Sequence, residues 1–170
     1  MSGRLALRLL LTLVVFALAG IVAGVVWEAF WTPPRGVAIE NEWFLDNQGV
    51  QDDFSGTGLY VLVGLVGGLV LGLVSALTAR SHEVATLVTV ALGSSAAAAL
   101  MAVTGHALGP PDPGPLAEGK KDFTEIPADL QVVGRTPYAA LPAGAITGLA
   151  VCFVAFNGSS RSQLDGEPDG

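Results

Sequence analysis

Few residues in this chain join a reactive group to an apolar neighbourhood. Glu28 follows the first long apolar run and stands in four-residue register with Gly20 and Gly24. His106 follows the third such run. Residues four apart share a helix face, so Glu28 belongs on the glycine face. A carboxylate and an imidazole that meet there would form an ion pair. The simpler expectation is two solvated side chains among lipid headgroups. Ionisable groups inside a membrane span are costly and mark substrate or proton pathways; Glu28 and His106 lie at span boundaries instead.

Other chemistries find no matching spacing. Ser94 or Ser95 with His106 would supply a hydroxyl and a base. On one helix they lie about 12 residues apart, about 18 Å at the usual rise, too far for a hydrogen bond. Their hydroxyls are expected to pack between helices. No H-E-x-x-H, cysteine pair or histidine cluster is present, so no zinc site is assigned. Asp46, Asp52 and Asp53 lack the calcium-loop spacing and read as a solvated acidic face. Cys152 is the one cysteine, which excludes an intrachain disulfide framework and fits a small packing residue. No catalytic residue, metal ligand or cofactor is assigned, and the chain is not expected to be an enzyme.

The elements that position these residues are membrane spans. Of 170 residues, 51% are hydrophobic and 14% charged, against about 25% charged in ordinary globular chains. Mean hydropathy is +0.59. Those values exclude a disordered chain, a soluble coiled coil and a basic nucleic-acid-binding protein. The net charge of −7 leaves no polybasic segment for anionic lipid.

Four apolar runs, 5–27, 58–79, 84–105 and 139–156, carry no charge in their central parts. A helix needs about 20 residues to cross the hydrocarbon, and backbone in lipid must bond to itself. Arg4 and Arg8 before Ala17-Leu18-Ala19 imitate a cleaved signal. The run continues to Trp27, about 23 residues against the 7–15 of a signal core, and is read as an uncleaved span. Arg4, Arg8, Arg80 and Arg161 fall on one side, which places both termini in the cytoplasm. Trp27, Trp31, Tyr60 and Tyr138 fall at the outer span ends, as an interfacial belt would. The short link Arg80-Ser81-His82-Glu83 predicts a tight hairpin of the second and third spans.

Loops 28–57 and 106–138 are then extracytoplasmic, and the Gly-, Ser- and acid-rich tail 157–170 reads as disordered. Alternation from Val37 to Leu45 predicts a strand whose apolar face carries Val37, Ile39, Trp43 and Leu45. Asp46 to Gly49 reads as its turn, Val50 to Phe54 as the return strand, and Leu130 to Val133 as a third strand. Loop 106–138 opens Pro-rich. The expected fold is an all-α membrane protein: an antiparallel four-helix transmembrane bundle with a small extracytoplasmic cap containing a β-hairpin.

Small residues recur every four positions: Gly20 and Gly24; Gly64, Gly68 and Gly72; Gly93 and Ala97; Gly144 and Gly148. Such ridges let helix backbones approach closely, since lipid supplies no hydrophobic drive between helices. These nine are the expected helix-packing residues. Trp43, Glu28 and His106 are the candidate interface residues.

Asp53-Phe54-Ser55-Gly56-Thr57-Gly58-Leu59-Tyr60 leads into a glycine-ridged span, Leu108-Gly109-Pro110 follows the third, and Tyr138 and Pro142 open the fourth. In that order the chain resembles the small four-span integral membrane proteins of actinobacteria catalogued as a domain of unknown function. Six arginines against two lysines agree with a high-GC genome. The resemblance covers nearly the whole chain and implies no activity, cofactor or site residue.

The expected role is a non-catalytic accessory, assembly or interaction protein of the cell envelope. It would sit in the plasma membrane, with the lipid bilayer and another membrane or envelope protein as partners and no nucleic acid. One alternative is a transporter or channel subunit, with a polar path that oligomers could build from Thr86, Thr89, Ser94, Ser95 and Thr147. A second is an envelope enzyme without a recognisable site.

Overall fold

A computed structural model describes residues 3–45, 49–78 and 83–164. The elements in chain order are α1 (Gly3–Phe30), β1 (Arg35–Ile39), β2 (Glu42–Leu45), α2 (Gly49–Thr78), α3 (Glu83–Leu108), α4 (Pro113–Ala117), β3 (Thr124–Pro127), a 3₁₀ turn at Thr136–Ala139, and α5 (Ala140–Leu164). Helices α1, α2, α3 and α5 are long and apolar enough to cross a membrane, as in a multi-pass membrane protein. Their limits follow from proline. Pro33-Pro34 and Pro110-Pro111 lie just beyond α1 and α3, where a residue before proline is driven out of helical geometry. Pro142 lies in the first turn of α5, where its missing N–H costs nothing.

The strongest helix contacts join elements that are not consecutive. α1 packs along α3, and α2 along α5. Phe16 lies against Gly93, Gly20 against Ala97, Gly24 against Met101 and Trp27 against Gly105. Residue numbers rise together on both helices, so α1 and α3 run parallel. Between α2 and α5 the same holds: Gly64 and Gly68 meet Leu141, Gly72 meets Ala145, Gly144 meets Leu65 and Gly148 meets Leu69. A Cβ on Gly20 would lie 2.5 Å from the Ala97 carbonyl oxygen. Side chains at Gly68, Gly72, Gly144 or Gly148 would run into the opposite carbonyls. Each helix of the α2–α5 pair therefore presents glycines to the other's backbone.

This corrects the expected arrangement. Consecutive helices do run antiparallel, but the two closest seams are parallel. α2 and α3, expected as a tight hairpin, meet far less closely than α1 with α3 or α2 with α5, and their link, 79–82, lies outside the described residues. A short link fixes direction, not which face meets which. The glycine faces of α2 and α5 leave no side chains between their backbones, and dispersion contacts follow from that approach.

The cap is a three-stranded antiparallel sheet in the order β2-β1-β3. The strand expected over 37–45 is itself the hairpin. It reverses at Glu40 and Asn41, with φ of 51° and 67°, the two left-handed residues that a two-residue hairpin turn requires. Of the proposed turn, Asp46 to Gly49, residues 46–48 lie outside the described residues, and Gly49 and the expected return strand are the start of α2. Acids at Asp52 and Asp53 suit a helix N-terminus and disfavour a strand. The third strand is β3, Thr124–Pro127, not Leu130 to Val133.

The predicted apolar face is also revised. Ala38 pairs with Trp43 and Gly36 with Leu45, and directly opposed residues share a face. The two-residue turn therefore puts even-numbered positions before it beside odd-numbered positions after it. Trp43 lies with Gly36 and Ala38, while Val37 and Ile39 occupy the other face with Phe44. Helix α5 continues to Leu164, so the expected disordered tail begins as helix; an established helix extends at the cost of one residue per added bond. Residues 165–170 lie outside the described set.

Candidate functional site

Two fully buried aromatic rings join three helices on the cap side of the bundle. Trp27 of α1 and Tyr60 of α2 meet edge to face, ring centroids 5.1 Å apart. The Trp27 indole Nε1–H donates to the Gly56 carbonyl at 2.7 Å, and the Tyr60 hydroxyl donates to the Ala98 carbonyl of α3 at 2.7 Å. A helix carbonyl has a second lone pair for such a donor, and an unpaired polar group here would be costly. Gly105 makes the room, since a Cβ there would enter the Trp27 ring. Tyr138, just before α5, reaches Tyr60 at 5.7 Å between centroids.

The junction displaces part of the expected interfacial belt. Trp27 and Tyr60 are internal ties, and Trp31 is half-buried, its Nε1 enclosed without a partner among the described residues. Among the described residues the most exposed aromatic rings at the cap-side helix ends are Phe30 and Phe54, at 76% and 71%. Alternation and hydropathy reveal a ring's level along a helix, not whether it turns inward. Gly105 opposite Trp27 was the only sequence signal of that burial.

A strap fastens the cap to this end. Leu130 is fully buried, and a Cβ on Gly109 would lie 2.8 Å from the Leu130 Cβ. His106 Nδ1 lies 2.9 Å from the Leu130 carbonyl oxygen. A carbonyl only accepts, so Nδ1 carries the proton of this bond. The Ala128 N–H donates to Pro34 O at 2.9 Å, and the Val133 N–H to Thr57 Oγ1 at 3.1 Å. Residues 128–133 thus run as extended chain across the helix ends. Their hydrogen bonds go to helices and loops, not to a strand.

The structure does not pair Glu28 with His106. Among the described residues the one ion pair joins Arg35 to Glu125 across β1 and β3, 3.7 Å apart and exposed, a kind that adds little stability. Ser94 and Ser95 both donate to Ala91 O, at 3.1 and 2.8 Å, and Thr89 donates to Ala85 O at 2.7 Å. Ser94 and Thr89 are buried, whereas Ser95 and Thr147 are exposed on the outside of the bundle. These four hydroxyls therefore do not line one path within a single chain. Cys152 is buried in the apolar core. Among the described residues no three of His, Cys, Asp and Glu gather as metal ligands.

Within the cap, Trp43 is half-buried over Gly36 and packs with Ala38, Ala117 and Ile126. Its Nε1–H donates to Ile126 O across the sheet at 3.1 Å. α4 thus covers the Trp43 face. Loop 118–123 is tied to the β1–β2 turn: the Glu40 N–H donates to Asp122 Oδ1 and the Gly119 N–H to Asn41 Oδ1, each at 3.0 Å. Phe123, at φ 65°, donates its N–H to Ala38 O at 2.8 Å while its ring stays 74% exposed. Sequence reasoning passed over Phe123, for a left-handed phenylalanine carries no pattern signal. No family model, curated protein or solved structure matches the chain.

Proposed function

We propose that this protein is a non-catalytic accessory or interaction protein of the plasma membrane, with the acidic outer cap as its working surface. The observation that carries the reading is the cap's construction. One sheet face is closed by Trp43 and α4, and the other leaves Phe44 47% exposed. Aromatic side chains dominate binding energetics at protein interfaces. The parallel glycine seams and the aromatic junction support it by giving the cap a rigid base. The hydroxyls of Thr89, Ser94 and Ser95, each bonded to a carbonyl of its own helix, favour it over a conducting path.

In this proposal both termini are cytoplasmic, loops 28–57 and 106–138 face outward, and the partner is another membrane or envelope protein. Placement among the four-span actinobacterial proteins of unknown function belongs to the same proposal. The test is a benzophenone amino acid placed at Phe44, at Phe123 and, as a lipid-facing control, at Val154, in intact cells. The proposal expects a discrete protein adduct from the two cap positions and none from Val154. Adducts of lipid alone at all three positions would overturn it.

A further inference from the structure

We draw no further inference here: the strongest candidate, the uncovered face of the cap sheet carrying Val37, Ile39 and Phe44 beside the exposed Phe123, is an unpartnered apolar surface and nothing in the structure shows what covers it.

Discussion

The carbonyl oxygen of Leu141 fills the space into which a side chain on Gly68 would project. The same relation recurs in reverse, with the Leu65 carbonyl filling the space at Gly144. Two helices separated in the chain by α3 and α4 are therefore matched backbone to backbone. The glycines serve this closeness; conformational freedom is not what they supply.

The aromatic junction yields the first prediction. Trp27→Phe keeps most of the ring volume and removes the hydrogen bond to Gly56. It should destabilise the detergent-purified protein by about 1 kcal/mol, the scale of interhelical hydrogen bonds in membranes. Gly105→Ala should cost more, about 1–3 kcal/mol, because the methyl group enters the Trp27 ring. Thermal unfolding followed by tryptophan fluorescence measures both. A Gly105→Ala protein as stable as wild type would refute the buried position of Trp27.

Some of this was legible from residues alone. The four-residue spacing of Gly64, Gly68 and Gly72 marks one face of one helix. Periodicity says nothing about what that face meets, and here it meets α5 in parallel, beyond α3 and α4 in the chain. The hairpin was legible as alternation but misplaced. Asp46-Asn47-Gln48-Gly49 is a stronger turn pattern than Glu40-Asn41, and tertiary hydrogen bonds accepted by Asp122 Oδ1 and Asn41 Oδ1 stabilise the weaker one. The His106–Leu130 bond spans 24 positions, a distance at which no local pattern speaks.

Strain at the cap tip gives the second prediction. Phe123 holds a left-handed backbone that costs a side-chain-bearing residue about 1–2 kcal/mol, with a ring that buries little. Phe123→Gly should relieve that strain, so cap stability should hold or rise by up to about 1 kcal/mol. Amide exchange at Phe123 and across β1 and β3 reports it. Faster exchange throughout the sheet would mean that the ring holds the cap together.

Trp43 gives the third. Full burial would make truncation to alanine cost about 3–5 kcal/mol. For a half-buried indole with one hydrogen bond the expected loss is about 2 kcal/mol, confined to the cap. Exchange should quicken in 35–45 and 124–127 and stay unchanged in α3. Uniform loss of protection in both regions would show that cap and bundle unfold as one.

Membrane orientation gives the fourth. In a Cys152→Ser background, Lys121→Cys lies in the exposed α4–β3 loop and should react with an impermeant thiol reagent in intact cells. Ser162→Cys, near the end of α5, should react only after permeabilisation. The opposite pattern would invert the orientation and move the cap to the cytoplasm.

The rigid base beneath the cap rests on the α2–α5 seam, and adjacent glycines test it most directly. A Cβ on Gly68 would run into Leu141, whereas one on Gly67 has nothing within 4 Å. Gly68→Leu and Gly67→Leu change composition identically and hydropathy equally. The measurement is the thermal midpoint of each purified variant in one detergent. Gly68→Leu should lower it by about 4–12 °C, as overpacking of about 2–3 kcal/mol implies, and Gly67→Leu should stay within about 2 °C of wild type. Equal losses, or a larger loss at Gly67, would contradict the seam and the account built on it.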